Sequence, residues 1–142
     1  MIYVDTSVLV ALCVRERMTA AVSLWYASVK DELISGVWCV TEFASALGIK
    51  RRSGQMTEAQ SDFAWRSFER MCGNDLQLAP IEPPVFHQAA MLTLDASTGL
   101  RAGDALHLAT ALDRKARTIA TLDVVLAANS RKRKIRLVDF KV

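Results

Sequence analysis

Cysteine and histidine are scarce in this sequence: its 142 residues include three cysteines and two histidines. Cys13, Cys39 and Cys72 are odd in number, widely separated and without a C-x-x-C pair, which excludes a disulfide framework and a cysteine zinc site. Such residues are typical of small core side chains in a reducing compartment. We therefore expect a cytoplasmic protein whose stability rests on its hydrophobic core.

Long apolar segments are also missing. No uninterrupted apolar run approaches the roughly 18 residues that a membrane span needs, and no charged segment followed by an apolar one begins the sequence. We expect neither a membrane span nor a secretion signal.

Hydrophobic residues make up 51% and charged residues 23% of the chain, which excludes the disordered class. A length of 142 residues predicts a single domain, residues 1–142.

The charge is nearly balanced, with 18 Lys and Arg against 15 Asp and Glu, so the net charge of +3 is weak evidence for any partner. The basic residues are grouped in three clusters, at residues 50–52, 114–117 and 131–136. Such clusters can neutralise nucleic-acid phosphates. They can equally stabilise a helix end through its dipole, and both interpretations stay open for each cluster.

Short β-prone segments alternate with helical patterns along the chain. The predicted strands are residues 2–4, 33–36, 76–81, 118–121 and 135–140. The predicted helices are residues 8–14, 19–29, 40–52, 57–72, 83–93 and 102–116. Because parallel strands need crossover connections, this alternation predicts an α/β fold, with a short-stranded, mainly parallel sheet covered by helices on both faces.

Four acidic side chains are predicted at one edge of this sheet. Asp5 directly follows the first strand, and Asp123 lies two residues beyond Thr121, where the fourth strand ends. Asp104 begins a helix whose dipole favours the ionised carboxylate at pH 7, and Glu42 lies in the first turn of another helix. Because ligands bind at the carboxyl ends of strands in open α/β sheets, we expect the four to converge. Taken singly, each could instead be a helix cap, a loop acid or a solvated side chain.

The residue types at this edge favour a hard divalent cation. Burying an unpaired carboxylate is costly, and a shared metal ion removes that cost. Carboxylates without cysteine select Mg²⁺ or Mn²⁺ rather than zinc, and such ions activate water for phosphodiester hydrolysis. The hydroxyls of Thr6, Ser7 and Thr121 could hold metal-bound waters or a phosphate oxygen, or could serve only as caps and strand-end hydrogen bonds.

Four segments carry a family resemblance: YVDTSVLVAL, VTEFASAL, RAGDALHLATAL and TIATLD. Together they resemble PIN domains, and most closely the VapC-type toxins of bacterial toxin-antitoxin pairs, from residue 2 to about residue 138. The resemblance implies the three-layer α/β/α PIN fold. It also matches Asp5, Glu42, Asp104 and Asp123 to the catalytic, metal-binding acids of the family.

The resemblance implies a function as well. PIN toxins are endoribonucleases that use Mg²⁺ or Mn²⁺ to cleave RNA, often tRNA or rRNA. They commonly form homodimers, and a small antitoxin protein inhibits them across the active-site groove. We therefore expect a metal-dependent endoribonuclease, the toxin of a type II toxin-antitoxin pair, with Lys50, Arg51 and Arg52 as candidate RNA contacts. The RNA target and the number of metal ions are left open.

Two other functions fit parts of the pattern. A non-catalytic PIN-like module could hold a structural cation in the acidic pocket and bind a protein partner through its helices. A phosphatase with Asp5 as nucleophile is disfavoured, because that fold requires a second Asp two residues on, where this chain has Ser7. We interpret His107, three residues after Asp104, as a packed or hydrogen-bonded helix residue, because acids and a metal can activate water without it.

Overall fold

Five short strands, all parallel, form the central sheet of the computed structural model, which describes residues 1–142. The strands are β1 (Ile2–Val4), β2 (Leu33–Gly36), β3 (Leu76–Ala79), β4 (Thr118–Ala120) and β5 (Arg136–Leu137). The helices are α1 (Thr6–Cys13), α2 (Thr19–Ser28), α3 (Cys39–Arg52), α4 (Glu58–Asn74), α5 (Pro83–Leu94), α6 (Ala102–Asp113) and α7 (Val124–Lys132). The predicted α/β class with a parallel sheet is confirmed.

The strand order β3-β2-β1-β4-β5 places a topological switch beside β1. The chain builds outward from β1 to β2 and β3 on one side, then returns to add β4 and β5 on the other. Val4 at the end of β1 pairs with Ala120 at the end of β4, and the Asp5 N–H donates to the Ala120 carbonyl at 3.0 Å. Ligands of such sheets bind at this kind of edge. The carboxyl ends of β1 and β4 therefore define the place to look for a site.

Helices cover both faces of the sheet and enclose two hydrophobic cores. Tyr3 is buried on one face with Leu108 of α6. Val4, its neighbour in β1, is buried on the opposite face with Phe43 of α3 and Phe68 of α4, whose rings stack with centroids 4.2 Å apart. This alternation follows from the two-residue repeat of a strand. The predicted three-layer α/β/α architecture is confirmed.

The structure differs from the sequence-based prediction mainly after β4. Residues 124–132, for which no helix was predicted, form α7, and Asp123 is its N-cap. The predicted strand over residues 135–140 is reduced to Arg136–Leu137, an edge strand that pairs only with β4. Helix α6 ends at Asp113 rather than at residue 116, shortly before Lys115 adopts a left-handed backbone with φ of 58°.

No helix combines the length and the apolar character that crossing a membrane requires.

Candidate active site

Asp5 lies at the carboxyl end of β1 and caps α1. Its Oδ1 accepts hydrogen bonds from the backbone N–H of Ser7, at 3.0 Å, and from the Ser7 hydroxyl. Its Oδ2 accepts one from the Thr121 hydroxyl at 2.6 Å. Burial raises the pKa of Asp5, whose side chain is 2% exposed, and His107, Ser7 and Thr121 only partly offset that rise. Asp5 is thus a helix cap and also a buried carboxylate tied to the end of β4.

The hydroxyls of Ser7 and Thr121 link the ends of the first and fourth strands. Ser7 Oγ accepts a hydrogen bond from the Leu122 N–H at 2.9 Å, and Thr121 Oγ1 accepts one from the Asp123 N–H at 3.0 Å. The Asp123 carboxylate accepts the N–H of Leu126 at 2.7 Å and so begins α7. This network holds Asp123 beside Asp5, although the two are far apart in the sequence. The prediction that these hydroxyls hold metal-bound waters or a phosphate oxygen stays a prediction.

Glu42, in the first turn of α3, is held by side chains from other elements. The Thr6 hydroxyl donates to its Oε1 at 2.6 Å, and His107 Nε2 contacts the same oxygen. Its Oε2 lies so close to α6 that a Cβ added to Gly103 would be 2.5 Å away. Burial acts to raise the pKa of Glu42, but hydrogen bonds from His107, Thr6 and Trp38 outweigh it, so that the pKa is lowered. Glu42 is therefore an ionised, hydrogen-bonded side chain rather than a solvated one.

Asp104, in the first turn of α6, differs from the other three acids because no hydrogen bond or ion pair partners its carboxylate. Its pKa is raised to about 6, first by burial and then by the negative charges of Asp123, Asp5 and Glu42. The helix dipole was expected to favour the ionised form. Burial and three neighbouring acids instead raise the pKa, as expected where carboxylates converge, and a pKa of about 6 still leaves Asp104 mainly ionised at pH 7.

The four carboxylates do not form a ready coordination shell. No group of three or more His, Cys, Asp or Glu side chains has an arrangement that could hold a metal ion. Asp5 is engaged with hydroxyls and Asp123 caps a helix, while like charges without a cation repel one another. The donor set nevertheless suits a hard cation, because it consists of carboxylate and hydroxyl oxygens and includes the unpartnered Asp104. Metal binding would require some of these side chains to rotate, and the unpartnered Asp104 is the one that no hydrogen bond holds.

A groove of about 830 Å³ runs along α3, and Glu42 is the one of the four acids that lines it. It is lined at one end by Glu42 and Gly103 and at the other by Lys50, which forms an ion pair with Glu16 at 2.9 Å. The predicted cluster of residues 50–52 is divided by the turn of the helix. Its other two members, Arg51 and Arg52, line a separate hollow with residues of α4. Of the three candidate RNA contacts, only Lys50 borders the groove that Glu42 lines.

Sequence reasoning missed two residues that shape this site, Gly103 and Tyr3, whereas it interpreted His107 as the packed, hydrogen-bonded helix residue that the structure has. His107 is buried between Tyr3 and Glu42, with Nδ1 2.7 Å from the Tyr3 hydroxyl. Gly103 allows α6 to approach Glu42. The segment RAGDALH contains Gly103 and His107 beside the predicted acid Asp104, so a glycine and a histidine within one turn of it were the available signals. The partner Tyr3 could not be identified, because it is 104 residues from His107.

The fold agrees with a comparison against known families. A model of the family described as "PIN domain" matches residues 2–132, nearly the whole chain. The chain belongs to the PIN domain family. No curated protein matches it.

Solved structures with the same fold include a toxin and the proteins FitAcB and VapBC2. The toxin VapC20 of Mycobacterium tuberculosis, described as cleaving the sarcin-ricin loop, has a TM-score of 0.74 and 14% identity, over 91% of this chain and 95% of that one. FitAcB of Neisseria gonorrhoeae has a TM-score of 0.68 and 17% identity, over 98% and 97%. VapBC2 of Rickettsia felis, bound to promoter DNA, has a TM-score of 0.65 and 13% identity, over 99% and 100%. At these identities the likeness establishes the PIN fold.

Proposed function

We propose that this protein is a metal-dependent endoribonuclease, the toxin of a type II toxin-antitoxin pair. In this proposal Asp5, Glu42, Asp104 and Asp123 together bind Mg²⁺ or Mn²⁺ and form the catalytic site. Membership of the PIN family supports a nuclease, and the site residues support the hydrolysis of phosphodiester bonds.

The observation that carries the proposal is the state of Asp104. A half-buried carboxylate without a hydrogen-bond partner, among three other acids, destabilises the fold unless a cation binds there. The raised pKa of about 6 has the direction expected of that electrostatic cost. A protein that needed these side chains only as helix caps would satisfy Asp104 with an N–H or hydroxyl donor, as it does Asp5 and Asp123.

The residues at this edge have separate roles in the proposed reaction. A divalent ion bound here would supply a water of lowered pKa and stabilise charge on the phosphate oxygens. Asp5, with Ser7 and Thr121 donating to it, provides a fixed buried carboxylate at the floor of the site. Asp104 provides an unpartnered carboxylate and Asp123 a helix-capping one, and Lys50 borders the groove through which the RNA backbone would pass.

An antitoxin protein is the proposed partner. Structures of FitAB and VapBC2 with DNA support this assignment, since both are named for complexes whose PIN-fold chains resemble this one. We propose further that the protein acts as a homodimer and that its substrate is a tRNA or an rRNA. The sarcin-ricin loop specificity of VapC20 supports only the class of substrate, RNA.

The first prediction concerns metal removal and Asp5. The purified protein is expected to cleave RNA in Mn²⁺, to lose cleavage in EDTA and to regain it when Mn²⁺ is restored. Asp5→Asn should not cleave, although it should fold, because Asn is as good an N-cap as Asp. RNA ends mapped after brief expression in cells identify the target even if purified bulk RNA resists a narrowly specific enzyme.

Asp95→Asn is the matched control for Asp5→Asn. Asp95 accepts the same pair of hydrogen bonds, from the backbone N–H and the hydroxyl of the serine two residues on, but it is exposed and caps a short 3-10 turn. This variant should cleave like the wild type. If Mn²⁺ raises the melting temperature while wild type and Asp5→Asn yield identical RNA ends, the protein is instead a non-catalytic module with a structural cation.

The second prediction concerns Lys50. Lys50→Ala should raise the KM for RNA severalfold. It should also make the plot of log K for RNA binding against log salt concentration less steep by about 0.7, because one phosphate contact on a single strand contributes that much to the slope. Arg51→Ala, one position along the same helix but outside the groove, is the control and should change neither. Equal effects of the two substitutions would contradict a specific role for the groove.

A further inference from the structure

Tyr3 and His107 form a buried polar pair behind the acids. Tyr3 lies in β1 with 0% exposure and His107 lies in α6 with 2% exposure, so both belong to the core. The Tyr3 hydroxyl is 2.7 Å from His107 Nδ1, and His107 Nε2 contacts Oε1 of Glu42. A continuous chain of hydrogen bonds therefore runs from the middle of the sheet to the carboxylate of α3.

The hydrogen-bond partners determine which nitrogen of His107 carries a proton. The backbone N–H of Gly36 donates to the Tyr3 oxygen at 3.0 Å, which leaves the hydroxyl hydrogen of Tyr3 free to point at Nδ1. A tyrosine hydroxyl, with an ordinary pKa of about 10, retains this hydrogen at neutral pH. Because Nδ1 then accepts, the ring proton of a neutral imidazole is on Nε2.

The Nε2–H of His107 donates to Glu42 in either protonation state of the ring. A neutral ring has its proton there, as argued above, and a charged ring has protons on both nitrogens. The remaining tautomer would place the lone pair of Nε2 against the ionised Oε1, which is repulsive. The contact is therefore a directed donor to a carboxylate, and Thr6 donates to the same oxygen.

We infer that His107, held by Tyr3, is a positioning residue that fixes the rotamer of Glu42 and reserves its Oε2 for a divalent cation. Two donors occupy Oε1, so the oxygen without a contact to His107 or Thr6 is Oε2, which lies against Gly103, next to Asp104. Trp38 is a further hydrogen-bond donor to this carboxylate. Second-sphere hydrogen bonds of this type set the orientation and basicity of a metal ligand. The part of the inference that names a divalent cation rests on the proposed function. The part that assigns His107 to hold Glu42 rests on the hydrogen bonds.

Two substitutions of His107 separate positioning from packing. The amide nitrogen of Gln can reach the position of Nε2, whereas the shorter Asn reaches only that of Nδ1. His107→Gln should therefore retain Mn²⁺ affinity and kcat within about threefold of wild type, while His107→Asn should lose about 10 to 100-fold in both, with little change in the KM for RNA. Mn²⁺ affinity is measured by titration calorimetry and folding by the melting temperature.

Tyr3→Phe supplies a second variant in case His107 variants unfold. It keeps the ring and removes only the hydroxyl that orients Nδ1. It is expected to weaken Mn²⁺ binding about tenfold. Nitrogen chemical shifts of the His107 ring, measured by NMR, should place the wild-type proton on Nε2 and should change in Tyr3→Phe.

The outcomes distinguish this inference from the proposed function. A wild-type ring protonated only on Nδ1, or equal loss of Mn²⁺ affinity in His107→Gln and His107→Asn, overturns the positioning role and leaves the nuclease proposal intact. Unchanged Mn²⁺ affinity in both His107→Asn and Tyr3→Phe would also overturn the positioning role and leave the nuclease proposal intact. A wild type that binds no Mn²⁺ overturns the nuclease proposal, and the reservation of Oε2 for a cation fails with it. The ring shifts then still report whether Nε2–H faces Glu42.

Discussion

Asp104→Asn is expected to abolish RNA cleavage and, in the same protein, to raise the melting temperature of the metal-free form at neutral pH. The loss of cleavage should be at least about a hundredfold, since losing even an outer-sphere partner of a metal site costs up to that amount. The gain in stability follows because the substitution removes a charge that burial and three other acids oppose. A purely structural aspartate would show the opposite sign of the stability change.

The pH dependence of this gain can be derived from the pKa of Asp104. Its folded-state pKa of about 6 lies above the ordinary value of 3.8, so between these values the unfolded chain has released a proton that the folded protein retains. Stability therefore falls as the pH rises through this window, and the full penalty applies above about 6. Asp104→Asn should show no gain at pH 3.5. At pH 7.5 we expect a rise of roughly 2 to 4 °C, kept small by solvent screening of a half-buried group.

Differential scanning calorimetry in EDTA at both pH values checks this prediction. Asp95→Asn is again the control, because the pKa of Asp95 is lowered, chiefly by hydrogen bonds from Ser97, and its carboxylate is favourable to the fold. It should not raise the melting temperature at pH 7.5. Added Mn²⁺ should stabilise the wild type more than Asp104→Asn. A lower melting temperature for Asp104→Asn at pH 7.5 would show that an unrecognised partner satisfies its carboxylate.

Gly103→Ala is the second substitution with a large expected effect. A Cβ at this position would be 2.5 Å from Oε2 of Glu42 and 3.4 Å from Nε1 of Trp38, so the Glu42 carboxylate must move. A displacement of about 1 Å at a catalytic group can reduce the rate roughly a hundredfold. The fold should survive, because alanine is preferred to glycine inside a helix by about 0.5–1 kcal/mol. We expect a folded protein with a greatly reduced kcat.

Gly73→Ala is the matched control for this experiment. Gly73 also lies in a helix, α4, but nothing is within 4 Å of its added Cβ. Cleavage should be unchanged and the melting temperature slightly raised. Circular dichroism and steady-state kinetics on the two variants complete the test. Wild-type kcat in Gly103→Ala would mean that Glu42 can move without consequence, and would remove it from the proposed catalytic set.

Much of the fold could be predicted because local patterns and tertiary structure agree. The Thr57 and Gln60 side chains form the capping box at α4 that their spacing indicated. The strand that precedes Asp5 is β1, buried throughout as its apolar residues required. Helix α7 could not be predicted so easily, because Asn129 and Ser130 are poor helix formers. Both are buried in the structure, where their side chains bond to backbone carbonyls.

The electrostatics of the site could be predicted only in part. Positions at strand and helix ends identified the four acids, since parallel strands bring their carboxyl ends to one edge. The direction of the Asp104 pKa could not be obtained from its helix position alone, because the pKa depends on burial and on charges from three other segments. The basic run at residues 50–52 looked like one surface, but the turn of α3 directs only Lys50 to the groove that Glu42 lines.

By itself, the sequence determined the class of fold, the candidate acids and the capping box that begins α4, because these depend on residues close together in the chain. Only the tertiary structure decided which side chains hold the acids in place. Thr121 donates to Asp5 across 116 positions and His107 contacts Glu42 across 65. Contacts at such separations arise from the strand order and the packing of α3 and α6 against the sheet, neither of which a local pattern encodes.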